Sequence, residues 1–423
     1  MKILRTMDVF VPGGMPQHTY IQRKQGNLEE RLHSTQNNLC KLVTVTGGTK
    51  SGKTVLVNKV FPKTTSIWVD GGHVKIEDDI WNSVLEQIGG RTQIETHSKE
   101  STRSTDGKLF EGKGEVPFVF KGGMEVNESI SKETERERVE GLSFSPRAAA
   151  VSQIRKSKKS LIIDDFHYLD RHVQGDVIRA LKPLIFDGIP VIIIAIPHRR
   201  YDAVKVEREM TGRIESIDIL PWGTDELIAI PNEGFPLLNI GIDNKLCIKL
   251  AEEAYGSPYI MQEFCRQLAS DKVEKTSERK ITIPSIQNNL FIKVAEGTGK
   301  VVFDKLAKGP RQRADRKQRT LKTGGTVDIY QATLLAMAQL LQEEPSLQTI
   351  EYEKLRLAIR NLLLKDSVPQ AQEITRVLKE MEEIASKDES SIPVIDLEAD
   401  ERKIHITDPF FAFYLKWGVP LKK

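Results

Sequence analysis

The chain has 423 residues, 39% of them hydrophobic and 29% charged, with 62 basic and 59 acidic side chains and a net charge of +3. At roughly 100–200 residues per domain, this length points to two to four domains with ample core. The near-balance of charge excludes a wholly basic nucleic-acid coat and an acidic solvating chain, although it leaves local patches open.

In chain order, residues 1–35 form a lead-in that turns at Pro12, Gly13, Gly14 and Pro16. From 36 to 224 strand-like and helix-like segments alternate, which predicts a parallel α/β sheet. The strands are expected at Leu42–Thr46, Ile67–Asp70, Leu161–Asp164, Val191–Ile196 and Ile217–Leu220. Within this unit, residues 93–142 carry eight basic and eleven acidic side chains and read as an insertion. Val116-Pro117-Phe118-Val119-Phe120 and Met124-Glu125-Val126 suggest a β-hairpin there, with Pro117 confining the first strand to an edge. Residues 225–298 read as a helical lid broken at Gly256-Ser257-Pro258, where Pro258 suits a first helical turn.

Residues 299–326 read as a basic linker, since Lys300 to Lys322 holds nine basic side chains against two acidic ones. Residues 327–423 suggest a winged helix. Helices are expected at Asp328–Glu343, Tyr352–Leu364 and Gln370–Lys387, followed by strands Pro393–Leu397 and Lys403–Thr407. No internal repeat is visible. Cys40, Cys247 and Cys265 lie far apart without a C-x-x-C pair, so a reducing cytoplasm is the expected location. Met1 to Phe10 has no apolar leader core. The most apolar run, Val191–Ile196, falls far short of the ~20 residues that span a bilayer, so no membrane partner is expected.

Gly47-Gly48-Thr49-Lys50-Ser51-Gly52-Lys53-Thr54 fits G-x-x-x-x-G-K-[ST] in full, between a predicted strand and a helix that opens at Val55. In that context, loop N–H groups and a positive helix end surround phosphate oxygens. Lys53 would reach the β- and γ-phosphates and the Thr54 hydroxyl would join a Mg²⁺ shell. A chance Gly/Lys turn is the bland alternative; the flanking elements weigh against it. The partner motif is Leu161-Ile162-Ile163-Asp164-Asp165, an apolar strand ending in two carboxylates. Asp164 would hold Mg²⁺ through water, and Asp165 would orient or deprotonate the attacking water. Without the phosphate loop, a solvated Asp-Asp turn would be the better reading.

Residues 39–295 resemble the STAND ATPases (signal-transduction ATPases with numerous domains) and the related origin-recognition-type AAA+ ATPases. Asp164-Asp165-Phe166-His167 looks more like the former, because the second acid of ordinary AAA+ proteins is usually glutamate. The resemblance implies ATP and Mg²⁺ as ligands. Thr19-Tyr20-Ile21-Gln22-Arg23 with Glu29-Glu30 resembles the lead-in upstream of the loop, except that Gln22 replaces a glycine.

The strand before Pro197-His198-Arg199-Arg200 resembles a sensor strand. This makes Arg199 the candidate γ-phosphate sensor, with an exposed loop arginine as the alternative. Arg208 and Arg213 lie where an intersubunit arginine finger is found in AAA+ proteins. Gly256-Ser257-Pro258 resembles the element that opens a lid helix against the nucleotide, which adds Pro258 to the candidate site. His405 is a candidate ADP contact, with a core or surface histidine as the alternative. The aromatics from Phe410 to Trp417 read as core.

Charge tests the alternative of a DNA-loading initiator or transposition helper. Residues 351–407 hold nine basic and thirteen acidic side chains, a poor major-groove reader. The arm over 300–322 remains the candidate contact to a nucleic-acid backbone, or a linker pairing with acidic surfaces. Together these features predict an α/β P-loop NTPase with a parallel sheet flanked by helices, a helical lid and a C-terminal winged helix. Such a chain would act as an ATP-driven switch that forms a homo-oligomer or engages a separate effector or sensor, in a setting such as prokaryotic defence.

Overall fold

The structure is a computed structural model describing residues 3–37, 40–89, 145–196, 212–311, 315–344, 349–386, 394–398 and 402–420. The expected insertion and its hairpin lie outside the described residues, as do Arg199, Arg200 and Arg208.

Five parallel strands form the central sheet: Leu42–Gly47 (β1), Ile67–Asp70 (β2), Leu161–Asp164 (β3), Val191–Ala195 (β4) and Ile214–Ile219 (β5). Their order is β2-β3-β4-β1-β5. The first four match the expected segments to within a residue. β5 begins three residues before the expected Ile217, because its opening Ile214-Glu215-Ser216 is only half-buried and lacks an apolar pattern.

Strand alternation feeds two cores, since successive side chains point to opposite faces. Leu42, Ile67, Leu161, Ile163, Val191 and Ile193 pack with Glu77–Ile88 (α3), Pro146–Ser157 (α4) and Arg171–Phe186 (α5). Val43, Val45, Ile162, Ile192, Ile194 and Ile217 pack with Leu28–Ser34 (α1) and Lys53–Val60 (α2). Because β4 separates β1 from β3, the carboxyl ends of β1 and β3 flank a cleft of the kind where open α/β sheets bind ligands.

Downstream lie the helices Thr224–Leu237 (α6), Asn244–Glu253 (α7), Pro258–Ser270 (α8) and Asn288–Thr298 (α9), with a short parallel pair, Ile240–Ile242 (β6) and Ile281–Ile283 (β7). The segment read as a basic linker is partly ordered structure. Lys300–Lys308 (α10) buries Leu306, and a small hairpin pairs Arg319–Thr320 (β8) with Thr326–Val327 (β9).

Two of its arginines are committed to the fold. Arg316 pairs with Asp328 at 2.9 Å and lies over the Tyr330 ring. Arg319 is 2% exposed and donates to Glu373 at 2.7 Å and to the Ser367 carbonyl at 2.9 Å. A buried guanidinium needs such partners to offset lost hydration. A nucleic-acid backbone running along 300–322 would therefore not meet Arg319, and at Arg316 and Arg319 the pairing with acidic groups is the alternative that the structure shows.

The last region runs Ile329–Glu343 (α11), Thr349–Glu351 (β10), Tyr352–Leu362 (α12), Ala371–Ser386 (α13), Ile395–Glu398 (β11), Lys403–Ile406 (β12) and Pro409–Trp417 (α14). The three strands form an antiparallel sheet ordered β10-β12-β11. The aromatic run at the end is itself a helix. Asp408 caps α14 by accepting from the Phe410 and Phe411 amides, and Pro409 takes the first turn. Phe411 and Phe413 are buried. The Phe413 ring lies 5.4 Å from Phe264 and 6.5 Å from Phe291, both on lid helices. Lys416 and Trp417 both donate to Glu253 of α7, each at 2.7 Å. The lid and the C-terminal region thus share one core, although the sequence places a linker between them.

Candidate functional site: a phosphate loop closed by the lead-in and the lid

β1 is buried along its whole length and delivers the chain at Gly47 into the loop. α2 begins at Lys53 after Gly52, whose φ of +91° lies in the left-handed region that glycine adopts without steric cost. The Lys53 ammonium donates to the Gly47 and Gly48 carbonyls at 3.0 and 2.8 Å. Burial pulls its pKa down to about 8, against the attraction of Asp165 and Asp164. Thr49 Oγ1 and Ser51 Oγ are buried in the loop without a hydrogen-bond partner among the described residues. Buried hydroxyls left unpaired are costly, and a phosphate would satisfy both. The residues present therefore fit the ligand that the motif implies.

Across the cleft β3 ends in the two carboxylates. The Thr54 hydroxyl donates to Asp164 Oδ1 at 3.4 Å, which brings the two candidate Mg²⁺-holding residues together. Burial raises Asp164 above the usual carboxylate range. Asp165 sits at φ +51°, and its amide donates to Asp164 Oδ1 at 3.0 Å. Burial, with Asp164 and Asp70 adding repulsion, pushes the Asp165 carboxyl up to about 6. The turn is held from beneath by Gly71, where an added Cβ would come within 2.6 Å of the Asp165 carbonyl. Asp70 ends β2 in register with Asp164, a third carboxylate that sequence reasoning did not single out.

A cavity of about 350 Å³ joins the loop from Thr49 onward and Asp165 to the lead-in and the lid, while Gly47, Gly48 and Asp164 are not part of its lining. Thr49 to Leu56, including Val55, line it together with Asp165, His167 and Pro258. Pro258 packs against the loop, 3.9 Å from where a Cβ on Gly52 would stand. Val11, Gly13, Pro16, Thr19 and Ile21 of the lead-in, mostly apolar, complete the lining.

Sequence reasoning missed the residues that tie these walls together. The Trp222 indole donates to the Ser51 carbonyl at 3.0 Å. Gln262 of α8 accepts from the Val11 amide at 3.1 Å and donates to Thr19 Oγ1 at 2.8 Å. Tyr259 receives the Lys50 ammonium over its ring, 5.8 Å from the centroid, and packs edge-on against Phe410 of α14 at 4.7 Å. Their signals were slight: a tryptophan beside Pro221, and polar or aromatic positions just inside the Pro258 helix.

Other candidates fall elsewhere. Arg23 lines the cavity, but its guanidinium is spent on a bidentate pair with Glu226 at 2.9 Å and on the Leu220 carbonyl at 2.8 Å. It fastens the lead-in to α6 and has no free fork for a base. Arg213 precedes β5, whose first residue pairs with Leu42 at the amino end of β1, so it lies at the opposite end of the sheet from the loop. Within its own chain it is out of reach of the phosphates. His405 lies on β12, 3.0 Å from both Thr349 Oγ1 and Glu398 Oε2, and does not line the cavity.

No family model and no curated protein matches the chain. Among solved structures, a Walker-type ATPase of Pyrococcus abyssi superposes with a TM-score of 0.52 at 14% identity, covering 94% of this chain and 97% of that one. The fold is that of P-loop ATPases. The ORC2 protein of Aeropyrum pernix, solved in ADPNP–ADP complexes, aligns with a TM-score of 0.48 at 12% identity over 96% of this chain and 95% of that one. A STAND protein with a tetratricopeptide repeat sensor from Pyrococcus horikoshii gives 0.35 at 14%, over 93% of this chain and 42% of that one. At 14% identity the likeness to the Pyrococcus abyssi ATPase is one of fold. Among the described residues, no helix of this P-loop chain is long and apolar enough to cross a membrane.

Proposed function

We propose that the chain binds and hydrolyses ATP with Mg²⁺ and works as a molecular switch of the STAND/AAA+ kind. The observation that carries this reading is the single cavity uniting the phosphate loop, Asp165 and the lid helix carrying Pro258. The loop amides and the orphaned Thr49 and Ser51 hydroxyls would hold phosphate oxygens, and Lys53 would leave the Gly47 and Gly48 carbonyls for them. Thr54 and Asp164 would hold Mg²⁺, which when bound neutralises charge on the β- and γ-phosphates. Asp165 orients the attacking water. Arg199 is retained as the candidate γ-phosphate sensor.

The switch reading draws support from the contact chain Lys50–Tyr259–Phe410. It joins the loop to the lid and to the start of α14, beyond the hairpin that we read as part of a winged helix. Burial raises the Asp408 carboxyl that caps α14, while two backbone amides and Lys50 pull the other way. A group in the cavity that draws Lys50 towards phosphate would weaken that link. The C-terminal region would then be released to assemble with another copy or with an effector, cytoplasmic defence being one setting.

The reading is tested by purifying the full chain, titrating it with ATP and ADP in Mg²⁺, and measuring particle mass and phosphate release in each state. Saturable binding, slow turnover and a mass that depends on the nucleotide are expected. Absence of binding, with the chain folded, would remove the proposal.

A further inference from the structure

The amino-terminal edge of the central sheet, opposite the nucleotide cavity, holds a second concavity. It has a volume of about 950 Å³, against about 350 Å³ for the nucleotide cavity. Its walls come from the segments that lead into β2, β3 and β4. Of the basic side chains on the surrounding segments, Arg155, Lys158 and Lys159 line the groove, against one acid, Asp187, whereas Lys63 and Lys156 are not part of the lining. Arg155 pairs with Asp187 at 2.7 Å, whereas Lys156, Lys158 and Lys159 have no ion pair among the described residues. Hydroxyls of Thr65, Ser66, Ser157 and Ser160 share the lining with Lys158 and Lys159.

Lys158 adds an independent observation. It caps α4 at φ +52°, a left-handed position that glycine or asparagine fills at lower cost, yet the chain places an exposed lysine there beside the groove.

We propose that this groove binds the phosphodiester backbone of nucleic acid, without reading sequence. The unpaired cations are lysines, compact point charges suited to phosphate, while the one arginine fork that would grip a carboxylate is already held by Asp187. Donors from two segments, Thr65-Ser66 and Ser157–Ser160, set along an open groove suit a chain of phosphates better than a lone anion. This site is distinct from the 300–322 arm and independent of whether the opposite edge hydrolyses ATP.

The test is fluorescence anisotropy of the full chain with a labelled 20-base-pair duplex, from about 50 to about 200 mM salt. The native chain is expected to bind with a steep salt dependence. K158E/K159E is expected to lose about tenfold or more in affinity and about two units of the log–log salt slope. It should keep native nucleotide binding, which reports that the sheet is intact. Three results would overturn the proposal: no duplex binding by the native chain, equal binding by K158E/K159E, or tighter native binding to polyglutamate than to the duplex. Loss of binding in K308A/R311A/K317A with retention in K158E/K159E would likewise assign the contact to the arm.

Discussion

At the carboxyl edge of the sheet the charges are buried and answered: Lys53 on loop carbonyls, Asp164 against Thr54, Arg23 in the grip of Glu226. At the amino edge, Lys158 and Lys159 line an open groove with no ion pair among the described residues. The difference is one of dielectric. Burial pulls the Lys53 pKa down, pushes that of Asp165 up and makes each hydrogen bond in the cavity count, whereas the lysines of the open groove act through a field that salt screens. On the proposed readings, one edge takes a small ligand in a partly enclosed cavity and the other a polyanion met in solvent.

The comparison breaks first at Lys53. Lys53→Ala removes the only lysine in the phosphate loop that reaches its carbonyls and should lower phosphate release by about 10²–10³-fold or more at saturating ATP. K158E/K159E should stay within twofold of the native rate; a comparable loss there would mean the two edges are not separate. Asp165→Asn should cut turnover by about 10²-fold or more while ATP still binds, since the loop is untouched. Unchanged turnover would place the water-orienting acid elsewhere, with Asp70 the nearest alternative.

A smaller effect sharpens the role of the lid. Trp222→Phe keeps an aromatic side chain but loses the indole and its hydrogen bond to the Ser51 carbonyl, a change of about 0.5–1.5 kcal/mol for that bond, or roughly 2–10-fold in nucleotide affinity by calorimetry. The smallest predicted change is in salt response. ATP affinity should shift little over the range in which duplex binding at the amino edge collapses, because the cavity charges are buried and screened less.

The sheet and the phosphate loop were legible because their information is contiguous: an apolar strand, a glycine-bearing octapeptide and a helix, then a second apolar strand ending in Asp164-Asp165. The walls of the cavity were not. Val11, Thr19, Trp222, Tyr259 and Gln262 come from three distant segments and meet only through tertiary hydrogen bonds and ring contacts. Of the two sequence readings of Lys300–Lys322, the nucleic-acid contact does not hold at Arg316 and Arg319, and composition could not decide between them because it records charge but not its partner. Asp328 and Glu373 answer those charges from 12 and 54 residues downstream. The three-residue strand β10 and the helix α14 were missed for a related reason. The first exists only by pairing with β12, and the second was read as an apolar cluster without its Asp408 cap.

The measurement that bears most directly on the central claim is calorimetric titration of the native chain and of Lys53→Ala with ATP and Mg²⁺, paired with phosphate release from the same samples. ATP held at the carboxyl edge predicts one saturable site and measurable turnover in the native chain, and loss of turnover with weakened binding in the variant. Equal binding and equal turnover in both would contradict it, because the cavity at the carboxyl edge would then not be where ATP is held.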